Sequence, residues 1–169
     1  QDDGNFFGNV LREMNVDWEV AAGDLDQIPR EGPLVIVANH PFGGLDGLVL
    51  GAALAKVRPD FKLLLNYLLN VFPVLGDWAI PVDPFGDEPK SANLRSMRQS
   101  LNWLKEGNCL VVFPAGKVSS FNWKQKQVTD DEWNSHAAAL ASKAKAKVVP
   151  VYFEGRNSLP FQGAGMVHP

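Results

Sequence analysis

A chain of 169 residues, 46% hydrophobic and 21% charged, is one domain's worth, with material for a sizeable core. Its formal charge of -3, with no Lys/Arg-rich block carrying interleaved aromatics, excludes nucleic acid as the main partner. A single cysteine, Cys109, excludes an internal disulfide framework and suits a reducing cytosol; no apolar run reaches the roughly eighteen residues of a transmembrane span.

Val16 to Ala22 reads as a first strand, and Ile28 to Pro33 carries turn chemistry leading into a strand over Leu34 to Asn39. Gly47 to Lys56 reads as a helix closed by Arg58-Pro59. Phe61 to Leu65 is a short apolar strand, and Tyr67 to Leu75 an ambiguous buried segment interrupted by Pro73. Trp78 to Asp83 is the next strand and ends in the loop Pro84 to Pro89. From Ser91 to Lys105 the residues Ala92, Leu94, Met97, Leu101 and Leu104 recur at helical spacing, and Gly107 supplies a stop before the strand Cys109 to Phe113. Cys109 lies inside that apolar run and reads as a small buried hydrophobe, not a nucleophile. Ser119 to Asn134 is polar with Phe121, Trp123 and Trp133 embedded, and fits neither the helix nor the strand template. Ser135 to Lys145 is an alanine-rich helix, with Lys143, Lys145 and Lys147 gathered where its dipole favours cations. Lys147 to Phe153 is the last strand.

This alternation predicts an α/β fold, an αβ sandwich with a mainly parallel sheet flanked by helices, as a single domain over residues 1–169. Functional loops in such a sheet gather beyond the carboxyl ends of the strands. His40, Pro84, Pro114 and Glu154 all follow strands and are expected to converge.

The sharpest local feature is Val35-Ile36-Val37-Ala38-Asn39-His40-Pro41-Phe42-Gly43-Gly44-Leu45-Asp46-Gly47, an apolar strand ending in a histidine with a carboxylate one tight turn later. Such a carboxylate can hold one tautomer of the ring and leave its other nitrogen free to take a proton. Read alone, the pair fits better as a turn histidine and an aspartate capping a helix that starts at Gly47.

Three later segments alter that balance: Ala79-Ile80-Pro81-Val82-Asp83, Val112-Phe113-Pro114-Ala115-Gly116-Lys117-Val118-Ser119 and Val149-Pro150-Val151-Tyr152-Phe153. With Asn39 to Asp46, in this order and spacing, they resemble the four sequence blocks of the glycerolipid and lysophospholipid acyltransferase family, especially its hemolysin-related bacterial branch. The resemblance runs from about Gly32 to the C-terminus. It implies an αβ sandwich with the His and Asp at one end of the sheet. Because members usually continue beyond the fourth block, it also implies that the chain lacks a C-terminal portion.

The implied activity is transfer of a fatty acyl group from acyl-CoA or acyl carrier protein to the hydroxyl of a lyso-lipid, in lipid and phospholipid biosynthesis. His40 would be the general base and Asp46 its orienting acid, with no acyl-enzyme. Five residues separate them where most of the family has four; the paired Gly43 and Gly44 can absorb the extra residue, and their amides could face the oxyanion as readily as they could form a simple turn. Pro114, Ala115, Gly116, Lys117 and Ser119 occupy the third block, which binds acceptor in better-known members. Lacking the usual glutamate, it offers a close backbone approach at Gly116, a charge at Lys117 and a hydroxyl at Ser119. Lys117 reads equally as a solvated surface lysine. Asp130 or Asp131 with Trp133 also fits a feature of the branch. The second block lacks the arginine of phosphate-acceptor members at Asp83-Pro84-Phe85, so an acceptor other than glycerol 3-phosphate is expected, unless Lys117 or Arg156 supplies the phosphate contact.

No cofactor is expected, and the scattered His40, His136 and His168 give no metal-ligand spacing. Expected partners are the acyl donor, the lyso-lipid, an acyl carrier protein and the membrane surface. The expected location is peripheral, on the cytoplasmic face, with Leu68, Leu69, Val71 and Phe72 as either docking surface or core. The rival readings are an esterase or thioesterase using the same His and Asp, and a non-catalytic lipid carrier. A serine hydrolase is disfavoured by the absence of a Gly-x-Ser-x-Gly elbow.

Overall fold

A computed structural model describes residues 5–66, 73–82 and 90–158 of the chain. Its sheet consists of β1 (Leu34–Ala38), β2 (Phe61–Asn66), β3 (Ala79–Val82), β4 (Cys109–Val112) and β7 (Lys147–Val151), in the order β3-β2-β4-β1-β7 with every pair parallel. A separate antiparallel hairpin joins β5 (Ser120–Asn122) to β6 (Gln127–Thr129). The helices are α1 (Phe6–Glu13), α2 (Gly44–Leu54), α3 (Lys90–Lys105) and α4 (His136–Ala144). The mainly parallel α/β fold expected from the sequence is the fold observed.

Parallel strands covered on both faces need apolar residues on both, and β1 supplies them: Leu34, Val35 and Ile36 are wholly buried. The pleat sends Leu34, Ile36 and Ala38 into one core with Phe7 and Leu11 of α1 and Leu50 and Leu54 of α2. Val35 enters a second core with Leu104 of α3 and Leu140 of α4. The sheet is thus the middle of three layers.

Several expectations are corrected. Val16 to Ala22 forms no strand; Val16 and Trp18 pack against the first core beside Leu25 without joining a ladder. The neighbouring edge is β7, where Pro150 has no N–H to donate to a further strand. The Ser119 to Asn134 region contains the short β5–β6 hairpin. Helix α2 begins at Gly44 rather than Gly47, which places Asp46 inside its first turn. Leu68, Leu69, Val71, Phe72 and Asp83-Pro84-Phe85 lie outside the described residues.

Helix α1 has no counterpart in the sequence reading. Asn5 caps it, its side-chain oxygen accepting the N–H groups of Phe7 and Gly8 at 3.0 and 3.3 Å. The Asn5 amide also donates to the Ala52 carbonyl of α2 at 3.0 Å. Gly51 of α2 has no side chain to hold the helices apart, and a Cβ there would stand 2.5 Å from the Phe7 ring.

Candidate active site

Strand β1 runs out at Ala38, and the next residue is anchored across the sheet. Asn39 donates its side-chain amide to the Phe153 carbonyl at 2.9 Å and accepts the Phe153 N–H at 2.7 Å. His40 follows in the turn. Because Val37 of β1 pairs with Val112 of β4, the two chains leave the sheet side by side. The His40 ring accordingly stacks on Phe113, centroids 4.1 Å apart and planes 26° apart.

The turn reverses at Gly43, whose φ of 71° and ψ of -129° suit glycine, and a Cβ there would press within 3.1 Å of Val118. This reversal starts α2 and returns Asp46 to His40. Asp46 Oδ2 stands 2.9 Å from His40 Nδ1 and accepts the Phe42 N–H at 2.9 Å. The His40 side chain is 18% exposed and that of Asp46 1%. A buried carboxylate needs compensation, and here two N–H groups and the positive end of α2 provide it. Asp46 Oδ1 has no hydrogen-bond partner among the described residues. With Nδ1 held by a carboxylate, the neutral ring carries its proton on Nδ1 and presents Nε2 as an acceptor.

His40 lies in the wall of a cleft of about 1230 Å³. Phe6 and Val10 of α1, Met14 just beyond it, and Leu63 and Leu65 of β2 give it an apolar side. Gly43 and Gly44 line it beside His40, as do Ala115 and Gly116 of the loop after β4, where Gly116 has φ 73°. Asn93, Asn134 and His136 supply polar groups.

The remaining third-block residues are placed differently. Pro114 is buried, and its carbonyl accepts the Asn134 N–H at 3.1 Å and the Asn134 side chain. Lys117 pairs with Asp131 at 2.7 Å, both about half exposed. Ser119 is 6% exposed; its hydroxyl donates to Asp130 and its N–H to the His40 carbonyl at 2.9 Å. Arg156 is exposed in the segment after β7, outside the cleft lining.

Sequence reasoning missed the α1 wall, the stacking on Phe113, the cleft positions of Asn134 and His136, and the bonds to Asp130. The first had a signal, since Phe6, Phe7, Val10, Leu11 and Met14 recur at helical spacing. The others depend on strand order and loop path, which no local pattern carries. Among the described residues no group of three or more His, Cys, Asp or Glu could hold a metal ion.

A family model described as acyltransferase matches residues 4–166. The chain is 31% identical over 144 residues to a lyso-glycine lipid O-acyltransferase of Phocaeicola vulgatus, covering 85% of this chain and 50% of that protein. It is 32% identical over 145 residues to a lyso-glycine lipid O-acyltransferase of Bacteroides thetaiotaomicron, covering 85% and 51%. The chain spans about half the length of these curated relatives.

Proposed function

The chain belongs to the acyltransferase family, and we propose that it carries the centre of an O-acyltransferase that moves a fatty acyl group from a thioester donor to the hydroxyl of a lyso-lipid. The observation that carries this reading is the His40–Asp46 pair in the wall of an apolar cleft.

In this scheme the acceptor hydroxyl gives its proton to His40 Nε2 as its oxygen attacks the thioester carbonyl. Asp46 stabilises the imidazolium that forms and keeps the ring in one tautomer. The amides of Gly43 and Gly44 are the donors for the oxyanion. When the tetrahedral intermediate collapses, the C–S bond breaks and the imidazolium returns the proton to the departing thiolate. The products are the acylated lipid and the free thiol of coenzyme A or acyl carrier protein. The apolar side formed by Phe6, Val10, Met14, Leu63 and Leu65 would take the acyl chain, removing it from water at about 0.8 kcal/mol per buried CH2.

An acceptor with an amino-acid head is favoured by the relatives, both named for a lyso-glycine lipid. Lys117 sits beside Gly116 and is held by an exposed aspartate rather than a buried one. It could exchange Asp131 for an anionic group on the acceptor. No helix among the described residues is long and apolar enough to cross a membrane. Peripheral binding to the cytoplasmic leaflet would bring the cleft to its lipid substrates.

Mass spectrometry of products formed from lyso-glycine lipid, lysophosphatidic acid and no acceptor, each with acyl-CoA or acyl carrier protein, tests the reading. We expect acylated lyso-glycine lipid as the main product. Free fatty acid in every reaction would show an esterase, and lipid binding without any product a carrier. Preference for lysophosphatidic acid would overturn the acceptor assignment.

A further inference from the structure

A second carboxylate holds His40 through its backbone, and the chemistry above does not use it. Asp130 Oδ1 accepts the His40 N–H at 3.2 Å and the Ser119 hydroxyl at 2.5 Å. Its Oδ2 accepts the Trp133 indole N–H at 2.8 Å. Ser119 N–H donates to the His40 carbonyl at 2.9 Å. Both backbone polar groups of His40 are therefore taken, and the bonds close a ring from His40 N–H through Asp130 and Ser119 to the His40 carbonyl.

His40 lies two residues beyond the end of β1, where no ladder fixes its backbone. Asp46 holds the ring at Nδ1 and the main chain at Phe42, and Asn39 is tied to Phe153, but neither bonds the backbone groups of His40 itself. Hydrogen bonds to an ionised acceptor are shorter and roughly twice as strong as neutral ones. Asp130 accepts three such bonds, one from the His40 backbone itself and two, from Ser119 and Trp133, that fix the carboxylate in place. The same stretch continues through Asn134, which binds the Pro114 carbonyl, to His136 in the cleft wall.

We propose that Asp130 is a positioning residue for His40, with Ser119 as its intermediary and Trp133 as its brace. It sets the distance from the imidazole to the acceptor hydroxyl. The proposal rests on the reading of His40 as general base. A displacement of about 1 Å at a reacting group can cost about a hundredfold in rate, so the expected signature is in turnover rather than substrate affinity.

The test uses the full-length protein, a lyso-glycine lipid and an acyl thioester. Asp130→Ala should lower kcat about tenfold to a hundredfold, with KM near its wild-type value. Asp130→Asn keeps one acceptor oxygen for His40 and Ser119 but cannot also accept the indole, so its loss should be smaller. In a His40→Ala background, Asp130→Ala should leave the residual rate unchanged, because residues that act as a unit are non-additive. A further loss of the same size there would show general structural damage and overturn the proposal. Nitrogen-15 NMR of the His40 ring supplies a readout that needs no substrate. Asp130→Ala, or Asp130→Asn and Ser119→Ala should the first not fold, is expected to shift the ring signals. Unchanged signals in a folded variant would overturn the proposal. Absence of acyl transfer by the wild-type protein would defeat the functional reading instead, and the ring signals alone would then decide this one.

Discussion

Asp46 stands in the first turn of α2, where a carboxylate is favoured, yet it does not cap that helix. A capping side chain accepts N–H groups of the turn it opens. Asp46 instead accepts the N–H of Phe42, ahead of the helix, and faces His40 Nδ1. Its geometry is that of a tie between a turn and an imidazole. Asp46→Asn keeps the size but exchanges one oxygen for an amide that competes for the wrong tautomer. We expect it to lower kcat about a hundredfold or more, beyond what any fall in thermal midpoint explains. A lower midpoint with unchanged kcat would return Asp46 to a purely structural role. Cys109 is the converse case: burial pushes its thiol up to about 12, as befits the inert core residue its apolar run suggested.

Among the elements, α1 depends on one missing side chain. Gly51 lets the Phe7 ring lie against α2, and that ring is 3% exposed and also packs on Phe61 and Trp78. Gly51→Ala should destabilise the protein by about 1–3 kcal/mol through overpacking, read as a lower thermal midpoint. A neutral or stabilising effect, as helix propensity alone would give, would contradict this packing. The strands at Leu34, Phe61, Ala79, Cys109 and Lys147 were legible because apolar runs bounded by turn residues survive into the sheet. Val16 to Ala22 misled because an apolar run packs as well against a core as into a ladder. The β5–β6 hairpin, three residues to a strand, was too short for periodicity to register. For the site, His40 and Asp46 could be read from adjacent residues. Phe113 and Asp130 could not, since their approach requires β4 to lie beside β1 and the hairpin to return over His40.

Across the whole molecule the two ends of the sheet have different duties. At the amino ends of the strands the buried Arg58 donates to Asp60 at 2.9 and 2.7 Å and to the carbonyls of Pro29, Gly32 and Gly107, tying together the approaches to β1, β2 and β4. The hydrogen bond from Arg58 holds the Asp60 carboxyl below its usual range, against the opposing effect of burial. A carboxyl lowered on folding stabilises fully above its ordinary pKa of about 4 and loses that contribution as pH falls through its lower folded value. The difference in thermal midpoint between wild type and Asp60→Asn should be largest near neutrality and shrink below pH about 4; a constant difference would contradict the assignment. This clamp leaves the carboxyl ends free to carry His40, Asp46 and the apolar cleft. In the proposed mechanism His40 moves the acceptor's proton there. The direct measurement is the initial rate of acyl transfer to a lyso-glycine lipid by wild type and by His40→Ala, with thermal midpoints taken on the same samples. We predict a fall of about a hundredfold to ten-thousandfold at a nearly unchanged midpoint. Turnover close to wild type in a folded His40→Ala protein would contradict the account.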